Sequence, residues 1–436
     1  MSNHLDSQYK ESLKQLSESL IAIQKPILIL DSIKWPQSIE QQFFNDKAEK
    51  LPPIDREYYL RNPLNFDPAS KAAELTALSK QVEQRLGKND PLGNILAETI
   101  DQYLTVIRLV ENRGNPEFVS ASRELYGSAR DHLRGDNLTL IEMGQRLCHI
   151  FSLPAAKHLA AAYPKNISAE SAVEKLKQSL TPYFADSAFT VRETDGIVSD
   201  ASAGGDCIKV NTHSSFSSLD LQVLEVHEGW VHVGTTLNGR NQPWATWLSV
   251  GSPRITALQE GLAVLIETLT FSSFPDRARK ISDRVVAIDM AENGADFLEV
   301  YRYFIGQGLS QHDSYKIAQR VFRGGMVEGG SCFTKDLSYV KGFVETVNFI
   351  RSAILSDKPE ILPMLFVGKV ALDDIPVLYQ YQQAGLIKAP RYLPSMFRDL
   401  NGLYVWFGFS SGMSLLDLER VQAHFKNLFD KNIGTT

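Results

Sequence analysis

Only three cysteines occur in the 436 residues, at Cys148, Cys207 and Cys332, and no two of them form a CxxC pair. Thiols so few and so scattered exclude a disulfide framework and read as reduced. Long apolar runs are missing too: none reaches the ~18 residues of a membrane span. The polar opening MSNHLDSQYKESLKQLSESL reads as an amphipathic helix and has no apolar signal-peptide core. The chain is therefore expected to be cytoplasmic, with no membrane partner. Basic charge is in deficit, the formal net charge being −6. Neutralising phosphates needs a basic surface, so nucleic acid is excluded as the main partner. One basic cluster, Arg277, Arg279, Lys280 and Arg284, falls in a helical pattern and reads as a solvated helix face. Neither internal repeats nor low-complexity segments stand out.

What is present is an ordinary globular composition, 43% hydrophobic and 22% charged, with length enough for two or three domains. Residues 1–165 read as mainly helical. Leu96, Ile100, Tyr103, Ile107 and Val110 recur at steps of four and three, and a similar pattern returns over Leu138–Phe151. Ile27–Leu30 reads as extended, and prolines interrupt Leu51–Pro68. The texture changes after Tyr163-Pro164. A helix over about 168–181 leads to two strand-like segments, around Phe189/Val191 and Ile208/Val210. Between them lies a turn region ending in Gly204-Gly205-Asp206. Leu219 opens a strong helix, and helix dominates beyond about residue 253. The expected organisation is a helical N-terminal region, 1–165, followed by an α-rich α+β region, 166–436.

The chemistry centres on His227-Glu228-Gly229-Trp230-Val231-His232. Two imidazoles flank a carboxylate, one residue further apart than in HExxH. Zinc favours imidazole nitrogen, and a catalytic zinc site takes three protein ligands and a water. Glu228, beside the first histidine, is placed to take a proton from that water. Positions five apart on a regular helix differ by about 140° around the axis, so these histidines could not share a metal. A π-type widening would bring them onto one face, and Gly229 would ease it. A local bulge between His227 and His232 is therefore expected.

The third ligand is sought on the next helix. Thr256–Glu267 is apolar around an embedded carboxylate, Glu260, and a charge there is costly to bury unless it is paired or on a metal. Gly261 and Ala263 would let this helix approach the first closely. Glu267, two turns on and nearly on the same face, is placed to hydrogen-bond a ligand histidine from behind.

The string Gln259-Glu260-Gly261-Leu262-Ala263, with HExxxH upstream, resembles the flavohaemoglobin-expression-modulating QEGLA-motif proteins. That bacterial family is similar to the eukaryotic microtubule-associated tyrosine carboxypeptidases. The resemblance extends through Asn238-Gly239 with Gln242, Arg320-Val321-Phe322-Arg323-Gly324, and Phe333-Thr334-Lys335-Asp336 with Tyr339. It implies one Zn2+ held by His227, His232 and Glu260, catalysis by Glu228, and a gluzincin-like core with a small sheet beside zinc-bearing helices. The eukaryotic relatives act on tubulin's C-terminal tyrosine. By resemblance, then, the chain is a metallo-carboxypeptidase acting on a peptide or protein C-terminus and releasing a residue that is aromatic in the relatives.

Several groups could hold such a substrate. Arg320 and Arg323, three apart on a helix, form a two-armed candidate for a terminal carboxylate, or else structural salt bridges. Tyr339 is a candidate oxyanion donor or a packed ring. The strand Cys207–Val210 either pairs with an extended peptide or lies inside the sheet. Gly324–Gly330 is glycine-rich enough for a lid but lacks the GK[ST] of a phosphate loop. His213 and His312 have no ligand spacing and receive no role. Two rival readings remain open: a dipeptidyl peptidase working from the N-terminus, which would need an acidic anchor, and a regulatory zinc protein without catalysis. An intact Glu228 is more than a purely structural site requires.

Overall fold

The computed structural model describes residues 7–161, 163–184 and 188–432. The start of the expected N-terminal helix, residues 1–6, lies outside the described residues. The protein is an α-rich α+β fold in which helices outnumber five short strands. Helices α1 (Ser7–Gln24), α2 (Pro68–Leu86) and α3 (Pro91–Glu111) pack together. Helices α2 and α3 each begin with an aspartate, Asp67 and Asp90, accepting backbone N–H bonds, followed by proline at the first helical position. Ile27–Leu30 is not extended; it turns into a short helix, Ile29–Ser32.

The central region starts with β1 (Ile167–Ser168) and α4 (Ala169–Leu180), then β2 (Thr190–Thr194), β3 (Ala201–Gly204), β4 (Cys207–Asn211) and β5 (Ser215–Phe216). β1 and β5 pair antiparallel; β2, β4 and β3 form a three-stranded sheet in that order. The two strands legible in the sequence are β2 and β4, paired in parallel with Val191 opposite Ile208. β3 lies in what read as a turn region, because Ala-Ser-Ala-Gly carries little strand propensity. It reverses through Gly205, at φ +65°, to pair antiparallel with β4. β4 is thus internal, paired on both sides, and β3 forms the sheet edge.

A capping box between Ser217 and Asp220 starts α5 (Ser218–Leu224). The helical path continues as a π-helix over Glu225–Val233 and returns to α-helix in α6 (Gly234–Arg240). Beyond these come α7 (Thr256–Leu269), α8 (Pro275–Glu292), α9 (Gln311–Phe322), α10 (Ser338–Leu355), α11 (Asn401–Met413) and α12 (Leu418–Asn432). α7 packs against the π-helix and, more extensively, α10. At the second crossing the backbones touch: a Cβ on Gly261 would lie 1.9 Å from the Gly342 carbonyl carbon. Gly261 therefore serves the α7–α10 contact, not an approach to the histidine helix.

One apolar core runs from Leu13, Leu75 and Leu96 through Leu258, Leu262 and Ile266 to Phe366 and Phe397. A second joins Phe43 and Tyr59 to Phe297, Tyr315 and Phe322. Side chains from both sides of residue 165 share these two cores. A third cluster packs Leu176 and Leu180 against Ile208, Val210 and Val233, which fixes the sheet beside the π-helix. No described helix is long and apolar enough to cross a membrane.

Candidate metal centre

The π-helix does what the spacing demanded, over nine residues instead of a single bulge. It turns both histidines to one side, with ring centroids 4.8 Å apart and planes at 86°. Side chains also bond to carbonyls of this stretch. Thr235 Oγ1 donates to Val231 O at 2.6 Å; Thr236 Oγ1 and Lys369 Nζ each donate to His232 O at 2.9 Å. Gly229 is needed for a different reason from the one its conformational freedom suggested. A Cβ there would lie 2.4 Å from Leu180 Cδ2, so its absence lets α4 close on the π-helix.

Glu260 arrives from α7. Its Oε2 lies 3.4 Å from His227 Nε2 and 3.6 Å from His232 Nε2. Ligand atoms about 2.0–2.1 Å from a tetrahedral zinc would lie roughly 3.4 Å from one another. The atoms offered by His227, His232 and Glu260 all fall within 4.8 Å of each other, so this group could hold a metal ion. Two further observations fit that ion. Glu260 Oε2 is buried without a hydrogen-bond partner, which would be costly unless a cation fills the gap. Each imidazole is also held from behind. His227 Nδ1 lies 2.6 Å from Glu267 Oε1, and His232 Nδ1 lies 3.4 Å from Gln259 Oε1. With the Nδ1 protons held there, both Nε2 lone pairs face Glu260.

The electrostatics of the cluster favour a cation. Burial opposes the charge of Glu260, but Lys335 and the two histidines outweigh it and hold the carboxyl well below its ordinary range. Burial likewise works against protonation of His227, yet the neighbouring carboxylates of Glu260 and Glu267 lift it to about 10. Glu267, fully buried, is pulled down to about 2 against its burial by Arg277 and His227. A metal ion would take the place of the proton that His227 so readily binds.

Glu228 lies beside this group, its Oε1 4.0 Å from His227 Nε2 and its Oε2 accepting the Ala203 N–H at 2.6 Å. Since Ala203 N–H points at Glu228, β3 presents its unpaired edge to the centre, the position that Cys207–Val210 does not occupy. The centre is reached from two openings. One is lined by His232, Glu260, Gln259, Lys335 and Lys369, and by Gln24 and Leu28 from the N-terminal region. The other is lined by His227 and Glu228, with the apolar Phe216, Val223 and Ile317 and the basic Arg277, Arg284 and Arg320.

The basic cluster is not a solvated face. Arg277 Nη2 donates to Glu267 Oε1 at 3.0 Å, and the Arg284 guanidinium lies 4.7 Å from the centre of the Tyr339 ring. Both arginines face the cleft, and Arg284 Nη1 is buried without a hydrogen-bond partner. Arg320 also lines the cleft, but its Nε and Nη2 both donate to Asp336, at 2.5 and 2.8 Å. Arg323 does not join it. α9 ends at Phe322, and Arg323 leaves the helix as its cap, buried with its guanidinium 5.6 Å from the Phe333 ring centre. The two-armed fork on one helix is therefore not formed. Tyr339 stacks near His227, at 6.4 Å between ring centres. Gly324–Gly330 is packed and not lid-like: Gly324 N–H donates to Tyr59 Oη at 2.7 Å, and Val327 O accepts the Phe297 N–H at 2.9 Å.

Other residues of the shared strings act as clamps. Asn238 donates to Phe366 O and Tyr392 O and accepts the N–H groups of Arg391 and Tyr392. Gln242 holds both backbone groups of Lys388. Together they bracket the segment carrying Lys369, whose Nζ donates to Gln259 Oε1 at 2.8 Å. Gln259 and Lys335 were signalled by their neighbours in QEGLA and FTKD. Lys369 had no signal in the sequence.

No curated protein matches the chain. From residue 41 to residue 415, a span including the π-helix, α7 and the cleft arginines, it matches the model of the microtubule-associated tyrosine carboxypeptidases, and it belongs to that family.

Proposed function

We propose that this protein is a zinc-dependent carboxypeptidase in which His227, His232 and Glu260 hold the metal and Glu228 is the general base. The observation that carries this reading is the buried, unpartnered Glu260 Oε2 facing two Nε2 atoms, with Glu228 alongside. Two imidazoles and a carboxylate suit zinc and leave one position open. Zinc bound there supplies a Lewis acid for the scissile carbonyl and an acidified water. Glu228, steadied by the Ala203 N–H, takes the proton of the attacking water and passes it to the leaving amine. Glu267 and Gln259 orient the imidazoles. An extended peptide lies along the free edge of β3.

Recognition of the terminal carboxylate falls to Arg284 in this reading, with Arg320 behind it and Arg323 released from the role. Arg284 lines the cleft and its buried Nη1 has no protein partner, whereas Arg320 has spent two donors on Asp336. Tyr339 supports the Arg284 guanidinium with its ring, and its hydroxyl is the donor assigned to the oxyanion. Phe216, Val223 and Ile317 suit an apolar terminal side chain, in keeping with the tyrosine in the family's name. All these groups fall within 166–436, the region assigned to catalysis. Three free cysteines suit a reducing compartment, which supports a cytoplasmic enzyme.

Peptides with free, amidated or N-acetylated ends test the assignment on zinc-loaded protein. Free and N-acetylated substrates should be cleaved and C-terminally amidated ones spared, and Arg284→Ala should raise KM roughly 10–100-fold, the worth of a charged hydrogen bond. Cleavage of amidated but not N-acetylated peptides would make the enzyme N-terminally directed.

A further inference from the structure

The two C-terminal helices, α11 and α12, are far more apolar than their surroundings cover. α11, NGLYVWFGFSSGM, contains no charged residue and packs on α10 through Leu403, Phe407 and Ser410. At about 100° per residue, Val405 and Phe409 lie on the far side of the helix, with Trp406 and Met413 on its flank. Trp406 is 53% exposed and Phe409 72%. A helix apolar all round is normally buried all round. The link to α12 carries two more exposed leucines, Leu415 at 89% and Leu416 at 61%. In α12, Leu418, Val421, Phe425, Leu428 and Phe429 fall within a single stripe, yet none of its described side chains is buried. A 15-residue helix with none of its described side chains buried is marginal in water.

We infer that these two helices form the interface of a homodimer, in which a second copy of the chain covers α11 and α12. Aromatic side chains bring roughly 150–250 Å² each, so the exposed apolar groups of the two helices together present on the order of 1,000 Å². That exceeds the roughly 800 Å² that each partner contributes to a standard interface. The charges of α12 fit self-pairing. Glu419 and Arg420 stand at one end, Asp430 and Lys431 at the other, so an antiparallel match sets no like-charged ends together. With Lys426 they leave α12 nearly neutral, without the basic face that an anionic membrane surface selects.

Sedimentation equilibrium of the full chain at a series of concentrations reads this directly. Wild-type protein should reach the mass of two chains. Phe409→Glu and Phe425→Glu, both on exposed side chains away from the cleft, should each raise the dimer dissociation constant at least about 30-fold, as loss of an interface hot spot does. Circular dichroism and peptide cleavage should stay at wild-type levels. A wild type that is monomeric throughout, or a dimer indifferent to both substitutions, overturns the inference. So does a monomer that co-sediments with phosphatidylcholine–phosphatidylglycerol vesicles, which would make the face a membrane contact.

Discussion

Replacing Glu267 with glutamine tests how much of the proposed zinc affinity resides behind His227. The carboxylate is fully buried, and its Oε1 receives both the His227 Nδ1–H at 2.6 Å and Arg277 Nη2 at 3.0 Å, while Oε2 receives Arg277 Nε at 3.3 Å. Glutamine has one acceptor oxygen where glutamate has two, and no charge. If its oxygen stays with His227, the Nε side of Arg277 meets an amide donor; if the amide flips, His227 loses its acceptor. Either way a charge-assisted bond, about twice as strong as a neutral one, becomes neutral, and the imidazole loses basicity toward a metal. Substitutions at such supporting positions typically cost 10–100-fold in metal affinity. Zinc affinity of Glu267→Gln, measured by competition with a chromogenic chelator, should therefore fall about 10–100-fold. Leaving Arg277 short of a partner should lower stability by roughly 1–3 kcal/mol. An affinity within twofold of wild type would show that Glu267 does not orient the ligand, and would refute the reasoning from geometry.

Two further outcomes follow from the packing around the centre. Gly342→Ala would set a Cβ 1.8 Å from Ala257 O at the α7–α10 crossing. Because backbone cannot give way as a side chain end can, thermal unfolding should show a loss at or above the usual 1–3 kcal/mol of overpacking, with weakened zinc binding as Glu260 shifts. Asp336 is buried, and although burial opposes its charge, Arg320 and Arg284 hold its pKa far below the ordinary value. Its contribution is thus present above the unfolded value, about 3.9, and lost as pH falls through that value toward its own lower one. Asp336→Asn should cost roughly 3–5 kcal/mol at neutral pH by stranding the arginines, and denaturant melts should show a shallower acid loss below about pH 5 than in wild type. Equal acid slopes would remove Asp336 from that account.

The grouping of His227, His232 and Glu260 was legible in the sequence because its requirements are local. A five-residue histidine spacing leaves a shared face only if the helix widens, and a carboxylate in an apolar helix needs a partner. Glu267 could be placed by helical periodicity alone. What stayed hidden depends on tertiary approach. The basic helix Arg277–Arg284 reads as solvated until α8 is seen packed over Glu267 and Asp336. β3 is too poor in strand formers to announce itself, so the edge was sought on β4, which the fold places inside the sheet. Arg320 and Arg323 are three apart, but α9 ends between them, and a helix end cannot be located to the residue by periodicity. Gly229 and Gly261 signal close approach without saying to what; Leu180 and Gly342 are 49 and 81 residues away in sequence.

The central claim is tested most directly by turnover of zinc-loaded Glu228→Gln beside zinc-loaded wild type, on a peptide that wild type shortens from its C-terminus. Glutamine keeps the size of the side chain and an oxygen for the Ala203 N–H, and Glu228 is not among the proposed ligands, so zinc content and melting temperature should hold. Removal of a positioned general base should lower kcat roughly 10²–10⁴-fold. A zinc-loaded Gln variant that turns over at the wild-type rate would contradict the account.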